Sequence, residues 1–204
     1  MGQHIGVFGG SFNPIHHGHL ILAQDVLESY ELDLLLFVPC GLPPHKDAYD
    51  LAPGEHRLGM LELVTEADPR FEVSASELDR QGLTYTFDTL NELAEKFPHD
   101  DLSFIVGSDT LPEFHTWYRI EELLSTYRII SLVRPGFGQA ELASRDFFLE
   151  PGHKEELLNT MLQGHRVDIS SSDIRMRLAE GMSIRYLVPE EVEMYIYEHG
   201  LYKC

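Results

Sequence analysis

A chain of 204 residues with 43% apolar composition can bury one sizeable core, so a single domain over 1–204 is the expectation. Its formal charge of −19, from 15 Lys+Arg against 34 Asp+Glu, excludes a surface built for nucleic acid or anionic lipid, both of which need a basic footprint. An anionic ligand must therefore meet a local cluster of cations within an acidic shell.

The opening MGQHIGVF has neither the basic segment nor the long apolar run of a secretory signal, and Gly6 stands where a myristoylation pattern needs Ser or Thr. The run HIGVF (4–8) predicts the first strand, and it leads directly into GGSFNPIHHGHL. A strand that ends on Gly9 and Gly10, followed by a polar turn and a helix, lets backbone N–H groups approach a phosphate. Neither Gly-x-Gly-x-x-Gly nor Gly-Lys-Ser/Thr fits this turn, so a Rossmann dinucleotide site and a Walker ATPase are both unsupported. His16 and His19 share one side of a first helical turn, and His17 points elsewhere. Two imidazoles placed so can donate hydrogen bonds to phosphate oxygens as charge develops. Packing or capping is the plainer use of either ring. A metal site lacks a third ligand at a telling spacing.

A helix over 18–30 carries Leu20, Ala23, Val26 and Leu27 on one face. LLLFV (34–38) predicts the second strand and is far too short to cross a bilayer. Cys40 and Cys204 are too few and too far apart for a disulfide framework or a zinc ribbon, which points to reduced thiols in the cytoplasm. Lys46 follows two prolines close to a strand end, where a cation suits a phosphate. FEVS (71–74) predicts a third strand. A helix over 86–97 shows Phe87, Leu90, Leu93 and Ala94 on one face.

SFIV (103–106) predicts a fourth strand that runs into VGSD, where Gly107 permits close approach and Asp109 offers two acceptors to a ribose diol. Ser108 or Asp109 is equally placed to cap a helix. Trp117, the sole tryptophan, sits in the polar stretch EFHTWYR, where it either stacks on a flat heteroaromatic ring or packs on the core. RIISLV (128–133) predicts a fifth strand, ending at Arg134 before Pro135-Gly136. Residues 134–156 read as an irregular connection with one or two short helices, and RVDI (166–169) predicts a sixth strand.

The serine run of ISSSDIR (169–175) supplies an N-cap and exposed amides, with Arg175 one turn into the helix; Ser170 and Asp173 are spaced as in a capping box. Pro189 suits a first helical turn and Gly200 a helix end, so a small helical tail is expected over about 170–204. Apolar strands alternating with helices predict an α/β fold, a Rossmann-like parallel sheet flanked by helices, with its ligand beyond the carboxyl ends of the strands.

GGSFNPIHHGH resembles the signature of the nucleotidylyltransferases with a His-x-Gly-His motif, here His16-His17-Gly18-His19, and ISSSDIR is similar to that family's second motif. PPHK (43–46), RLGML (57–61), LTYTFDTL (83–90), FIVGSDTLPEFHTWYR (104–119), VRPGF (133–137) and YIYEHGLY extend the resemblance to the bacterial nicotinate mononucleotide adenylyltransferases; 138–166 carries none of it. Ser11 stands where that family often has Thr, and Asn13 where it often has Asp.

The resemblance implies transfer of AMP from ATP to nicotinate mononucleotide, giving the deamido dinucleotide and pyrophosphate, with Mg2+ brought by ATP. It implies that Gly9, Gly10, Ser11, Phe12, His16, His19, Gly107, Asp109, Ile169, Ser171, Ser172 and Arg175 hold ATP, with His16, His19 and Arg175 catalytic. Lys46 and Arg134 would serve the phosphates, backbone amides at Tyr85 and Thr86 the nicotinate carboxylate, and Trp117 the pyridine ring. Amide N–H groups suit an acid better than a carboxamide. The attacking phosphate is already anionic, so no general base is required. Alternatives are another acceptor, such as nicotinamide mononucleotide or phosphopantetheine, and a nucleotide-binding regulator without turnover.

Overall fold

The computed structural model describes residues 2–42 and 51–203. Six parallel strands form one sheet: β1 (His4–Gly10), β2 (Leu34–Pro39), β3 (Phe71–Val73), β4 (Asp101–Gly107), β5 (Arg128–Leu132) and β6 (Met161–Leu162), in the order β3-β2-β1-β4-β5-β6. The chain steps outward from β1 through β2 to β3, returns to β4 on the other side of β1, and steps outward again. Strand order thus reverses between β1 and β4, and such a switch point opens a crevice at the carboxyl ends. Register sets Phe8 beside Ile105, which leaves Gly9, Gly10 and Gly107 at the rim.

Helices cover both faces, as the unbroken apolar strands require. One face buries Phe8, Leu35 and Phe37 against α1 (His17–Ser29), α2 (Gly54–Thr65), α8 (Ser171–Ala179) and α9 (Glu190–Glu198). The other buries Val7, Leu36 and Phe104 against α4 (Thr86–Lys96), the 3-10 helix Ser108–Thr116 and α5 (Ile120–Thr126). Short helices α3 (Ser76–Asp79), α6 (Gln139–Ala143) and α7 (Pro151–Asn159) complete the series, the last two forming the expected helices of the irregular connection.

The expected face of α1 is buried at Ala23, Val26 and Leu27, with Leu22 in place of Leu20, which is only half-buried. Gly200, at φ +62°, closes α9 in the left-handed conformation that glycine adopts without penalty. Pro189 sits at the N-cap of α9, one residue before its first turn.

The sixth strand is a correction. RVDI alternates, Val167 and Ile169 half-buried with Arg166 and Asp168 exposed, but it pairs with no strand. The free edge of β5 is taken by Met161 and Leu162, opposite Ser131 and Leu132. Alternation at RVDI reported half-burial without a ladder.

Candidate active site

The turn after β1 is built by close approach. Phe12 takes a left-handed φ of 43°, which swings its ring beneath Gly10, where a Cβ would lie 2.9 Å from the ring. The same ring meets the edge of His19 at 5.1 Å. His16 is the N-cap of α1 and only 3% exposed, and its ring stacks on that of His19 at 3.8 Å between centroids. Gly18 makes room for this pair: a Cβ there would stand 2.9 Å from His16 Nδ1 and 3.4 Å from Val167.

Burial first, then the Arg134 charge, holds the His16 imidazole down at about 4. Burial and the neighbouring His16 and Arg134 charges push His19 well below its ordinary value. Both rings are therefore neutral near pH 7 and add no cationic charge there. A neutral imidazole carries one N–H, so each ring can donate once. Nδ1 of each ring is buried without a hydrogen-bond partner. Two adjacent orphaned ring nitrogens are a cost that the bare fold does not recover.

Three distant parts of the chain hold this turn. From α8, Arg175 Nη1–H donates to the Asn13 carbonyl at 2.9 Å, and Ser171 Oγ–H to the Pro14 carbonyl at 2.9 Å. Ser170 caps α8 by accepting from the Asp173 N–H at 3.1 Å, and Ser172 is the weaker partner of Arg175 at 3.4 Å. Ile169 packs on the core beside α1. The two motifs at opposite ends of the sequence thus meet, and Arg175 is spent at least in part on the loop itself.

Arg57 and Tyr202 had no assigned role from sequence. Arg57, 3% exposed, donates to the carbonyls of Ser11 and Ala52 at 3.0 Å each. Tyr202 O–H donates to Asn13 Oδ1 at 2.9 Å, which also accepts the Ala52 N–H at 2.9 Å. Burial pushes the Tyr202 phenol up, so it stays protonated and donates. The side-chain oxygen of Asn13 is engaged in loop anchorage, which no local feature of the sequence signalled.

Across the switch point, Gly107 lies between Asp109 and Arg134; a Cβ there would collide with Asp109 Oδ1 and approach Arg134 Nε to 3.4 Å. Asp109 is exposed, and neither it nor Ser108 caps the 3-10 helix. Ser108 Oγ instead accepts the Arg134 N–H at 2.9 Å, tying the ends of β4 and β5 together. Pro135 and Gly136, the latter at φ +78°, make a type II turn closed by Phe137 N–H on the Arg134 carbonyl. A cleft of about 430 Å³ opens beyond this turn, lined by Arg134, Gly136, Glu141, Gln163, His165, Arg166, Val167 and Asp168.

Tyr85 is the N-cap of α4 and Thr86 its first residue, so their amides belong to the first-turn N–H groups that a helix cannot satisfy itself. The Tyr85 ring lies 4.6 Å from that of Tyr118, which brings this helix start beside the Trp117 loop. Trp117 is half-buried, tilted on Phe114 at 4.6 Å and edge-on to Phe104 at 6.2 Å. It is thus anchored on the core at the rim of the sheet, which serves both readings of this residue. Thr84 N–H donates to the Leu42 carbonyl at 3.1 Å; Lys46, four residues on, lies outside the described residues. The only described group of three possible metal ligands, Glu121 on α5, Glu150 at the N-cap of α7 and His153 on α7, includes none of these residues.

The family model described as cytidylyltransferase-like matches residues 7–177. A protein of Thermus thermophilus named a probable nicotinate-nucleotide adenylyltransferase is 44% identical over 199 residues, 98% of this chain and 99% of its own. One of Geobacillus kaustophilus with the same name is 40% identical, over 97% of this chain and 85% of its own. Among solved structures, Plasmodium falciparum nicotinic acid mononucleotide adenylyltransferase complexed with NaAD has a TM-score of 0.77 at 20% identity, covering 98% of this chain and 97% of that one; it shares the fold. Matched along nearly its whole length, this chain belongs to the cytidylyltransferase-like family and falls among its nicotinate-nucleotide adenylyltransferases.

Proposed function

We propose that this enzyme transfers AMP from MgATP to nicotinate mononucleotide, forming nicotinate adenine dinucleotide and pyrophosphate as a step in making NAD. The observation that carries this reading is the pair of stacked, neutral, unpartnered histidines beside Arg134 at the sheet's switch point. Phosphate oxygens are the acceptors this arrangement lacks.

The α-phosphorus exchanges its bond to the β-phosphate bridging oxygen for one to the mononucleotide phosphate. The nucleophile is already an anion, so the protein's work is alignment and charge neutralisation. His16 and His19 donate to phosphate oxygens as charge shifts toward pyrophosphate, and Arg134 offsets the approach of two polyanions. Lys46 serves the same end from the segment after Leu42. Arg175, Ser171 and Ser172 hold the glycine turn in place, with Gly9, Gly10, Ser11 and Phe12 presenting its backbone and Ile169 seating the second motif.

Asp109, exposed beside Gly107, takes the ribose diol. Tyr85 and Thr86 amides receive the nicotinate carboxylate, and Trp117 offers the outer face of its indole to the pyridine ring. Mg2+ enters with the triphosphate as part of the substrate. The two ends of the chain act as one catalytic domain, in the cytoplasm, with nucleotides as partners and neither nucleic acid nor membrane. Among the described residues no helix is long and apolar enough to cross a membrane.

Initial rates of pyrophosphate release from MgATP with the acid or the amide mononucleotide test this. Preference for the acid by at least about tenfold is expected, because an amide would set donors against the donors of α4. Equal rates would refute the carboxylate assignment, and ATP binding without pyrophosphate release would favour a regulator.

A further inference from the structure

The segment from Gln163 to Ile169 lines the cleft beyond β5 through Gln163, His165, Arg166, Val167 and Asp168, and Arg134 lines the same cleft. It belongs to no strand or helix. Among the described residues, its polar tethers run to one side chain. Asp25, on α1, accepts the His165 main-chain N–H on Oδ2 at 2.7 Å and meets His165 Nδ1 with Oδ1 at 2.7 Å. Gly164 permits this approach, since a Cβ there would stand 2.6 Å from Asp25 Oδ2. The carboxylate is mostly covered, its side chain 14% exposed, although the His165 ring lies largely in solvent. Two turns earlier on the same helix, Gly18 faces Val167 of the segment.

We propose that Asp25 is a positioning residue for nucleotide binding: its two oxygens pin the 163–169 strap to α1 and thereby set the width of the cleft between strap and Arg134. The inference rests on the nucleotidyl-transfer reading for what the cleft holds. A seven-residue strap without ladder bonds has little else polar to stop it lifting, and each lifted conformer lowers the fraction of protein competent to bind. Ile169 seats one end of it on the core, whereas the clamp at His165 sets its height over the cleft. The start of the same helix holds His16, its N-cap, and His19, and Asp25 lies less than two turns beyond His19, so strap and histidine pair share one rigid support.

Asp25→Ala removes both acceptors and leaves the buried face of α1 intact. It is expected to raise the MgATP Kd by calorimetry, and the ATP KM, by about tenfold, the factor that corresponds to losing hydrogen bonds to a charged acceptor. kcat and the mononucleotide KM should stay within about twofold, since the reacting groups are untouched. Asp25→Asn should restore ATP affinity to within about threefold, because its amide oxygen still accepts the His165 N–H and its NH2 can donate to Nδ1 of a neutral ring.

Hydrogen exchange at 163–169 should quicken in Asp25→Ala and not in Asp25→Asn. Unchanged exchange overturns the pin, and faster exchange with unchanged ATP affinity overturns its role in the cleft. Should Asp25→Ala fail to fold, His165→Ala, which keeps the main-chain bond, is read by the same two measurements, with a smaller rise expected and no rise contradicting the proposal. A parent that binds MgATP without turnover would count against the reaction and leave the affinity and exchange comparisons decisive for Asp25.

Discussion

Gly18→Ala adds one methyl group against the histidine pair. The new Cβ would stand 2.9 Å from His16 Nδ1 and 3.0 Å from Cε1, with Val167 Cγ1 at 3.4 Å behind it. An unstrained carbon contact needs about 3.5 Å or more, so the His16 ring must give by roughly half an ångström. It cannot slide freely, because His19 is stacked on it at 3.8 Å and its surroundings leave it 3% exposed. The pair therefore tilts together, away from its position at the start of α1. Misplacing a catalytic group by about 1 Å costs on the order of 10² in rate, so about a tenfold fall in kcat is expected here.

Stability should change little. Alanine favours a helix over glycine by up to about 1 kcal/mol, and overpacking of this kind costs about 1–3 kcal/mol. The assay is steady-state pyrophosphate release beside a thermal melt of the same preparations. A Tm within a few degrees with kcat reduced supports steric control of the histidine pair by Gly18. Parent-like kcat and KM in a folded variant would refute it.

Three further outcomes are expected. His16 is held at about 4 in the folded chain against 6.5 when free, so the unfolded state binds more protons between these values and stability rises with pH across that window; from about pH 4.5 to about 7.5 the parent should gain on the order of 2 kcal/mol more than His16→Gln, as urea titrations would show, and equal gains would contradict a buried neutral ring. Trp117→Ala should raise the KM for the pyridine substrate with kcat nearly kept, read from initial rates at saturating MgATP; an unchanged KM would assign the indole to the Phe104 and Phe114 core alone. Tyr202→Phe removes one bond to Asn13 Oδ1 and leaves that buried oxygen with less than its full set, so about 1 kcal/mol of stability should be lost with a modest fall in kcat, and a Tm equal to the parent's would show that the C-terminal segment does not brace the turn.

The parts most legible in the sequence were those whose signal is local. Five strands announced themselves by apolar runs, and α1 and α4 by a periodic face, because parallel strands and the helices covering them bury one continuous pattern. Gly9, Gly10 and the two histidines stood out because turn residues and titratable rings rarely crowd together without cause. The sixth strand was misplaced because alternation reports half-burial and not a hydrogen-bonded neighbour; only the edge of β5 could decide between Met161-Leu162 and RVDI.

Long-range anchorage was invisible for the same reason. Asp25 reads as a solvated charge on a helix, and its partner is 140 residues away. Arg57 reads as one cation among the polar positions of α2, and only its burial and its bonds to Ser11 and Ala52 reveal it as a brace. The charge state of the histidines was likewise beyond the sequence, since it follows from burial and from Arg134, which reaches the pair from beyond the end of β5.

The most direct test of the histidine pair as a phosphate donor site is single-turnover AMP transfer by His19→Ala beside the parent, with MgATP and nicotinate mononucleotide both saturating. Loss of one preorganised donor should slow the chemical step by about 10² or more while the melting temperature stays close to the parent's. Equal single-turnover rates would contradict the role assigned to His16 and His19 and return both rings to packing.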